Sequence, residues 1–307
     1  MNILVTGGKG FIGSHLVRKF INDGHNISII STSDDIPLYM MDLNFKLIVG
    51  KYSDNRLLDV LLPNVDVVIH LAWSSVPNLD LYKIEEDVNE NINGTIRLIN
   101  ACVIYKIKKF IFISSGGTIY GIPKSELIKE EHPLNPISYY GVGKLTIEKL
   151  LQMYESNYGL NYIVFRVSNA YGSNQNFKKG QGVISIWLNQ IILNKKINVW
   201  GDGSVIRDYI HISDVVDVLC KAVNFNHKHR VYNLGSGVGV SLNDVISLIR
   251  NNLTDDFKVE YMKSRTFDVT SCVLDMSRLI SETGFMPQTS LAKGLKSLWQ
   301  DIVQSGD

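Results

Sequence analysis

The feature that most constrains this chain lies at its start. A short apolar, β-branched run at residues 2–6 leads into glycines at Gly7, Gly10 and Gly13, and a helical pattern follows at residues 14–21. A glycine triplet alone says little, but strand, glycine turn and helix in that order open a parallel α/β unit. Without a Cβ, the turn can bend sharply and approach a pyrophosphate closely. The helix start adds free N–H groups and the positive end of its dipole. Gly7, Gly10, Phe11, Ile12 and Gly13 are therefore candidate dinucleotide contacts.

Strand-sized apolar runs recur at residues 26–30, 46–49, 65–71, 109–113 and 162–167, with helical patterns at 54–62, 84–105 and 139–158. That alternation predicts a Rossmann-type, doubly wound parallel sheet. Ligands of such sheets lie beyond the carboxyl ends of the strands. Two such ends stand out, one at Leu71 and Ala72, the other from Ser114 to Gly121. The second strand ends on Ser31, Thr32 and Ser33, where an NAD site would place a carboxylate for the ribose hydroxyls. Asp34 and Asp35 follow, and no arginine stands nearby to hold a 2′-phosphate, so NAD and NADP both remain open. His70, at the end of its strand, reads as structural.

With 307 residues the chain can fill one large domain or two modest ones. The polar stretch 173–182 marks the start of a smaller α/β substrate lobe. The expected division is a dinucleotide-binding domain at 1–168, with 206–230 returning to it, and a substrate lobe at 169–205 and 231–307. Ser213 is expected to cap a helix at 214–223 and Ser241 one at 242–250, with a last pair of short helices capped from Asp275 to Ser277.

Charge and cysteine content exclude several classes of partner. Thirty-one Lys and Arg against 30 Asp and Glu give a net charge of +1, so no global field favours nucleic acid or a membrane surface. Cys102, Cys220 and Cys272 form no Cys-x-x-Cys pair, which argues against disulfide or metal frameworks. With no basic leader and only strand-length apolar runs, the expected setting is cytoplasmic, with no metal.

The chemistry points to the stretch opening at Tyr139. Tyr140 and Lys144 stand four residues apart at the start of a helical pattern, on one helix face. A free tyrosine titrates near ~10, so a base acting near neutrality needs its pKa lowered by about three units, roughly 4 kcal/mol. A neighbouring ammonium supplies much of that.

Taken in order, these motifs resemble the extended short-chain dehydrogenase/reductase superfamily, in its branch of NAD-dependent nucleotide-sugar epimerases, dehydratases and reductases. The pattern is nearest to the UDP-glucose 4-epimerases. The likeness spans nearly the whole chain: the three glycines, His70-Leu71-Ala72, Asn91 with Gly94, Ser114-Ser115, Tyr120-Gly121, Tyr140 with Lys144, Arg166 with Asn169 and Tyr171, Arg207 to His211, and Asn233 to Gly237. The resemblance implies that Tyr140 is the catalytic base at the sugar's carbon-4 hydroxyl and that Lys144 lowers its pKa. It also implies cofactor contacts at Ser31, Leu71, Ala72, Asn91, Ser114, Tyr140 and Lys144, besides the glycine turn. Asn169, Arg207 and Arg265 would hold a substrate pyrophosphate, with Val199 and Trp200 bordering the base, and Ser75 and Gly116 lining the sugar pocket.

Three departures from the family pattern bear on the reaction. Gly116 stands where a Ser or Thr usually bonds the reacting hydroxyl, so Ser115 or Thr118 must substitute. Gly117 and Thr118 replace the Asp-Glu pair of dehydratases, which removes the acid and base needed for water elimination. Gly50-Lys51 replaces an Asp at the adenine edge. What the resemblance then implies is a nucleotide-diphosphate-sugar 4-epimerase working by transient hydride transfer to NAD. The alternative is an NAD(P)H-dependent reductase of a 4-keto-6-deoxy sugar nucleotide. A homodimer pairing the helices at 84–105 and 139–158, and a place in polysaccharide biosynthesis, are further expectations.

Overall fold

Alternating apolar runs set the chain's first half as strand and helix in turn: β1 (Asn2–Thr6), α1 (Phe11–Asn22), β2 (Asn26–Ser31), β3 (Lys46–Val49), α2 (Asn55–Leu61), β4 (Val67–His70), α3 (Ile84–Asp87), α4 (Gly94–Ile104), β5 (Lys109–Ser115), α5 (Tyr139–Tyr158) and β6 (Tyr162–Val167). The second half continues with β7 (Asn169–Tyr171), α6 (Val183–Ile192), β8 (Ile197–Trp200), β9 (Ile206–His211), α7 (Ile212–Ala222), β10 (Val231–Leu234), β11 (Gly239–Ser241), α8 (Leu242–Asn252), β12 (Val259–Met262), β13 (Ser271–Cys272), α9 (Ser277–Thr283) and α10 (Leu291–Ser305). The structure, a computed structural model, describes residues 1–75, 84–176, 180–264 and 269–305.

Seven strands form one sheet in the order β10-β6-β5-β4-β1-β2-β3. This is the Rossmann-type doubly wound arrangement, and its order reverses between β1 and β4. Register then decides what meets there. Thr6 lies opposite Ile30 of β2 and His70 of β4, and His70 lies opposite Phe112 of β5. The residues that follow, Gly7, Ser31, Leu71 and Ile113, therefore lie level with one another at the carboxyl end of the sheet. Strands β4 and β6 are buried throughout, as expected of a sheet covered on both faces.

The chain divides into two compact units. The first comprises Met1–Ile119, Pro136–Arg166 and Val216–Tyr232; the second comprises Tyr120–Asn135, Val167–Val215 and Asn233–Asp307. On one face of the first unit's sheet, Leu98, Ile99 and Cys102 of α4 and Ile147 and Leu151 of α5 pack with Phe110, Phe112 and Val164. The second unit closes over Trp187, Leu188, Val199, Tyr209, Ile249 and Leu295. No helix among the described residues is long and apolar enough to cross a membrane.

Local details differ from the sequence expectations in three places. The pattern at 84–105 is helical, but it passes through a π-helical turn at Val88–Asn93 between α3 and α4. Ser213 lies inside α7, not before it, because the His211 ring accepts the Ser213 N–H at 3.3 Å and so satisfies the first turn. The last helices are not both short, for α10 runs 15 residues; the Asp275 carboxylate accepts the Ser277 N–H at the start of α9. Ser241 does cap α8, in a reciprocal capping box with Asp244.

α5 is tied to β6 by a buried ion pair. Arg166 Nη2 donates to Glu148 Oε2 at 2.6 Å, and both side chains are about 95% buried. Such a pair is worth little relative to apolar packing, yet breaking it strands a charge. Glu148→Ala is expected to cost about 3–5 kcal/mol in chemical denaturation, and Glu148→Met combined with Arg166→Met to cost far less.

Candidate active site

The glycine turn is built for close approach. Gly7 takes φ +72°, and a Cβ there would meet the Ala72 nitrogen at 2.7 Å, so the loops after β1 and β4 touch. A Cβ on Gly13 would meet the Gly7 oxygen at 2.2 Å. Only glycine fits. Gly10 precedes α1 with no side-chain cap on the helix, and no acidic residue occupies the first turn. Those first-turn N–H groups and the dipole favour an anion. At the end of β5 the Ser114 hydroxyl is buried with no hydrogen-bond partner among the described groups. The turn that only glycine permits, the uncapped helix and this orphaned hydroxyl fit a dinucleotide.

At the ends of β2 and β3 the structure adds a cation that spacing in sequence had hidden. Lys9 Nζ donates to the Ser33 carbonyl and hydroxyl at 2.9 Å each and to the Asp35 carbonyl at 2.6 Å, and lies 3.3 Å from the Asp35 carboxylate. The Ser33 hydroxyl and the Lys9 ammonium hold the Asp35 carboxyl below its ordinary range. Ser31 Oγ accepts the Ser33 N–H. Lys51, which replaces the expected adenine-edge acid, pairs with Glu90 at 2.7 Å.

His70 is fully buried between two threonines, with Nδ1 2.6 Å from Thr6 Oγ1 and Nε2 2.8 Å from Thr95 Oγ1. Thr95 donates its own proton to the Asn91 carbonyl, so Nε2 must be the donor and Nδ1 the acceptor. Burial, then the nearby Lys144 charge, push the His70 pKa down to about 3. The ring is neutral and structural. Asn91, a candidate cofactor contact, is buried and spends its amide on Ser74 and Asp87. It holds the loop that carries Ser75, whose hydroxyl accepts the Trp73 indole N–H at 3.0 Å.

Tyr140 and Lys144 sit in the first two turns of α5, which Ser138 caps by accepting the Gly141 N–H. Lys144 is 3% exposed and donates to the Ile113 carbonyl of β5 at 2.8 Å. Aromatic rings surround its ammonium, with Trp73 at 4.0 Å, Phe112 at 4.8 Å and Tyr140 at 5.7 Å to the ring centroids. Desolvation lowers its pKa to about 7, against the pull of Asp87 and Glu148. Burial raises the Tyr140 phenol to about 12, with Asp87 adding to the rise. Of the two hydroxyls expected to serve in place of Gly116, Ser115 is half-buried, while the Thr118 hydroxyl is buried and has no partner among the described groups. That gives Thr118 the stronger claim.

The second unit holds a cavity of about 370 Å³ lined by Asn169, Trp200, Arg207, Asn198, Gln190 and Tyr209, among others. Arg207 is fixed by donating to the carbonyls of Ile206 and Val269, and Asn169 by donating to the carbonyl of Asp208. Asp208 itself is wholly buried and accepts from Ser236, Gly237 and Leu274. Strand alternation turns Val199 into the core and leaves Asn198 and Trp200 on the other face. The side chain beside Trp200 at the cavity is thus Asn198, a residue the period-two pattern of β8 could have revealed. Gln190, on α6, had no motif to mark it, while Tyr209 falls within the Arg207-to-His211 motif but was given no role there. Arg265 lies outside the described residues.

Fold and site together define a Rossmann-type dinucleotide enzyme with a Tyr-x-x-x-Lys pair. The family model described as the NAD dependent epimerase/dehydratase family matches residues 3–235, and the chain belongs to this family of NAD-dependent enzymes. A UDP-glucose 4-epimerase of Mycolicibacterium smegmatis is 30% identical over 96% of this chain and 96% of its own length. A dTDP-4-dehydro-6-deoxyglucose reductase of Escherichia coli is 29% identical over 98% of this chain and 97% of its own. The crystal structure of UDP-glucose 4-epimerase with UDP-glucose from Thermotoga maritima superposes with a TM-score of 0.94 at 30% identity, covering both chains completely.

Gly13→Ala is expected to weaken NAD binding by about tenfold or more in a titration calorimeter, since the added methyl displaces the turn carrying the anion-facing N–H groups. The fold, read by circular dichroism, should survive.

Proposed function

We propose that this protein is a UDP-sugar 4-epimerase of the UDP-glucose/UDP-galactose type. The observation that carries the reading is the Tyr140–Lys144 pair, with its buried ammonium anchored on the Ile113 carbonyl at the sheet edge where the glycine turn also ends. The family, and its members that act on UDP-glucose, supply the substrate class.

NAD, when bound, would supply reversible hydride acceptance at carbon 4 of the sugar. Gly7, Gly10, Gly13 and the first turn of α1 would hold its pyrophosphate, and Lys144 would hold the nicotinamide ribose. Tyr140 removes the carbon-4 hydroxyl proton at its phenolic oxygen and later returns it. Thr118 hydrogen-bonds the reacting oxygen in place of the residue missing at Gly116. Arg207, Asn169 and Arg265 grip the diphosphate while the sugar is left free to turn, and Trp200 and Asn198 border the base.

The electrostatics set a demand. A phenol near 12 must fall by about five units to act near neutrality, roughly 7 kcal/mol. The Lys144 ammonium lies 5.7 Å from the Tyr140 ring centroid, and a unit charge at about that distance contributes about 3 kcal/mol at an effective dielectric of ~20. Lys144 is thus necessary but insufficient, and the bound state must provide the rest.

A second reading, reduction of a 4-keto-6-deoxy sugar nucleotide with NADPH or NADH, is favoured by one observation: β2 ends on Ser31 with the Lys9 ammonium beside Ser33 and Asp35, which suits a 2′-phosphate better than a ribose-binding carboxylate would. Denaturing the purified protein and identifying the released dinucleotide separates the two. Near-stoichiometric NAD supports the epimerase, while an empty protein that binds NADPH supports the reductase.

Tyr140→Phe is expected to lower UDP-galactose turnover by about 10²–10⁴-fold with NAD still bound, as a coupled assay would show. The active form needs the Lys144 ammonium, which is lost as pH rises through about 7 in the free protein, so kcat/KM should fall on that side. A profile flat through that range counts against the assignment. The exposed Ile104 of α4 and Val142, Met153 and Tyr158 of α5 support a homodimer through these helices. Sedimentation should show a dimer at micromolar protein.

A further inference from the structure

We propose that Trp73 is a positioning residue for the reacting pair: its indole face holds the Lys144 side chain as an ammonium beneath Tyr140, and position 143 is glycine because the ring lies on it. The inference rests on the assignment of Tyr140 and Lys144 as the reacting pair, and it goes beyond that assignment to a residue with no polar contact to either.

Three independent observations converge on Trp73. The Lys144 ammonium is 4.0 Å from the indole centroid, closer than to the Phe112 or Tyr140 ring. A Cβ at Gly143 would meet the indole Cζ2 at 2.9 Å, so even a methyl there pushes on the ring. The indole is also held at its far side, with Nε1 donating to Ser75 Oγ at 3.0 Å, and it meets the Tyr140 ring edge-on at 6.0 Å. A ring fixed at one end by a hydroxyl and on its surface by a glycine has little freedom to leave the cation.

The energetic need is plain from what else faces Lys144. Its own helix α5 presents Tyr140 and Glu148, and Glu148 is already committed to Arg166 of β6. α3 presents Asp87, whose Oδ1 accepts from Asn91. β4 presents His70, which is neutral, and β5 presents the Ile113 carbonyl and the Phe112 ring. One carbonyl is the only hydrogen-bond acceptor described for the amine, and no carboxylate among the described residues pairs with it directly. In so dry a place an aromatic face is a substantial partner for a cation. Losing it favours the neutral amine, and a neutral amine does nothing for the phenol.

The test reads the amine directly in the full-length protein without substrate, so it does not depend on turnover or on which sugar is used. Protein carrying isotope-labelled lysine is titrated by NMR, with the Lys144 signal assigned by its loss in Lys144→Arg. Trp73→Leu is expected to move the Lys144 midpoint down by about 0.5–1.5 pH units, and Trp73→Phe, which keeps a π face, by less than half as much. A merely structural role would shift neither midpoint in this order. An unchanged midpoint in Trp73→Leu, or an equal fall in Trp73→Phe, overturns the proposal. Should Trp73→Leu fail to fold, Gly143→Ala carries the same decision, because it displaces the indole while leaving it present: a lowered midpoint supports the proposal and an unchanged one overturns it. A failure of Tyr140→Phe to reduce turnover would instead sink the assignment of the reacting pair, leaving this measurement readable on its own.

Discussion

The structure depends on keeping a positive charge where water cannot reach it. Lys144 is 3% exposed, and burial alone drives its pKa toward neutrality. An isolated buried ammonium would simply give up its proton. What opposes that is a short set of neighbours supplied by different elements: a carbonyl at the end of β5, the face of Trp73 beyond β4, and the more distant carboxylates of Asp87 and Glu148. Strand register puts the first two beside each other, since His70 and Phe112 are partners in the sheet. The apolar core under α5 is therefore also an electrostatic device, holding an amine near its titration point.

The same region shows how scaffolding is separated from chemistry. Thr6, His70, Thr95, Asn91, Asp87 and Ser74 form a continuous hydrogen-bonded chain. The Ser114 and Thr118 hydroxyls, by contrast, are buried with no partner among the described groups. Leaving such groups unsatisfied costs about 1–3 kcal/mol each. That expense suits atoms that await a ligand, and it separates Thr118 from Ser115, a choice that spacing left open.

In the second unit the recurring theme is the fixing of side chains by backbone groups. Asp208, fully buried, gathers N–H groups from Ser236, Gly237 and Leu274, and Gly235 is glycine because a Cβ there would meet its carboxylate at 2.3 Å. Arg207, next in sequence, is thereby held with its side chain at the cavity. A motif that reads as a substrate-binding arginine thus carries beside it an aspartate of purely architectural use.

Sequence alone determined the parallel sheet, the glycine turn, the helix carrying Tyr140 and Lys144, and the cap at Ser241. These follow from periodicity, from steric limits at glycine and from capping, all of which act within a few residues. Family motifs carried the reading further, to the nucleotide-sugar class. Asn198 beside Trp200 and the His211 ring at the first turn of α7 are local details that strand alternation and a two-residue contact account for, whereas what tertiary structure decided involves residues far apart in the chain: Lys9 beside Asp35 and Trp73 over Lys144. No local rule encodes these, because each depends on which strand lies next to which and on the direction a side chain takes once the sheet has formed.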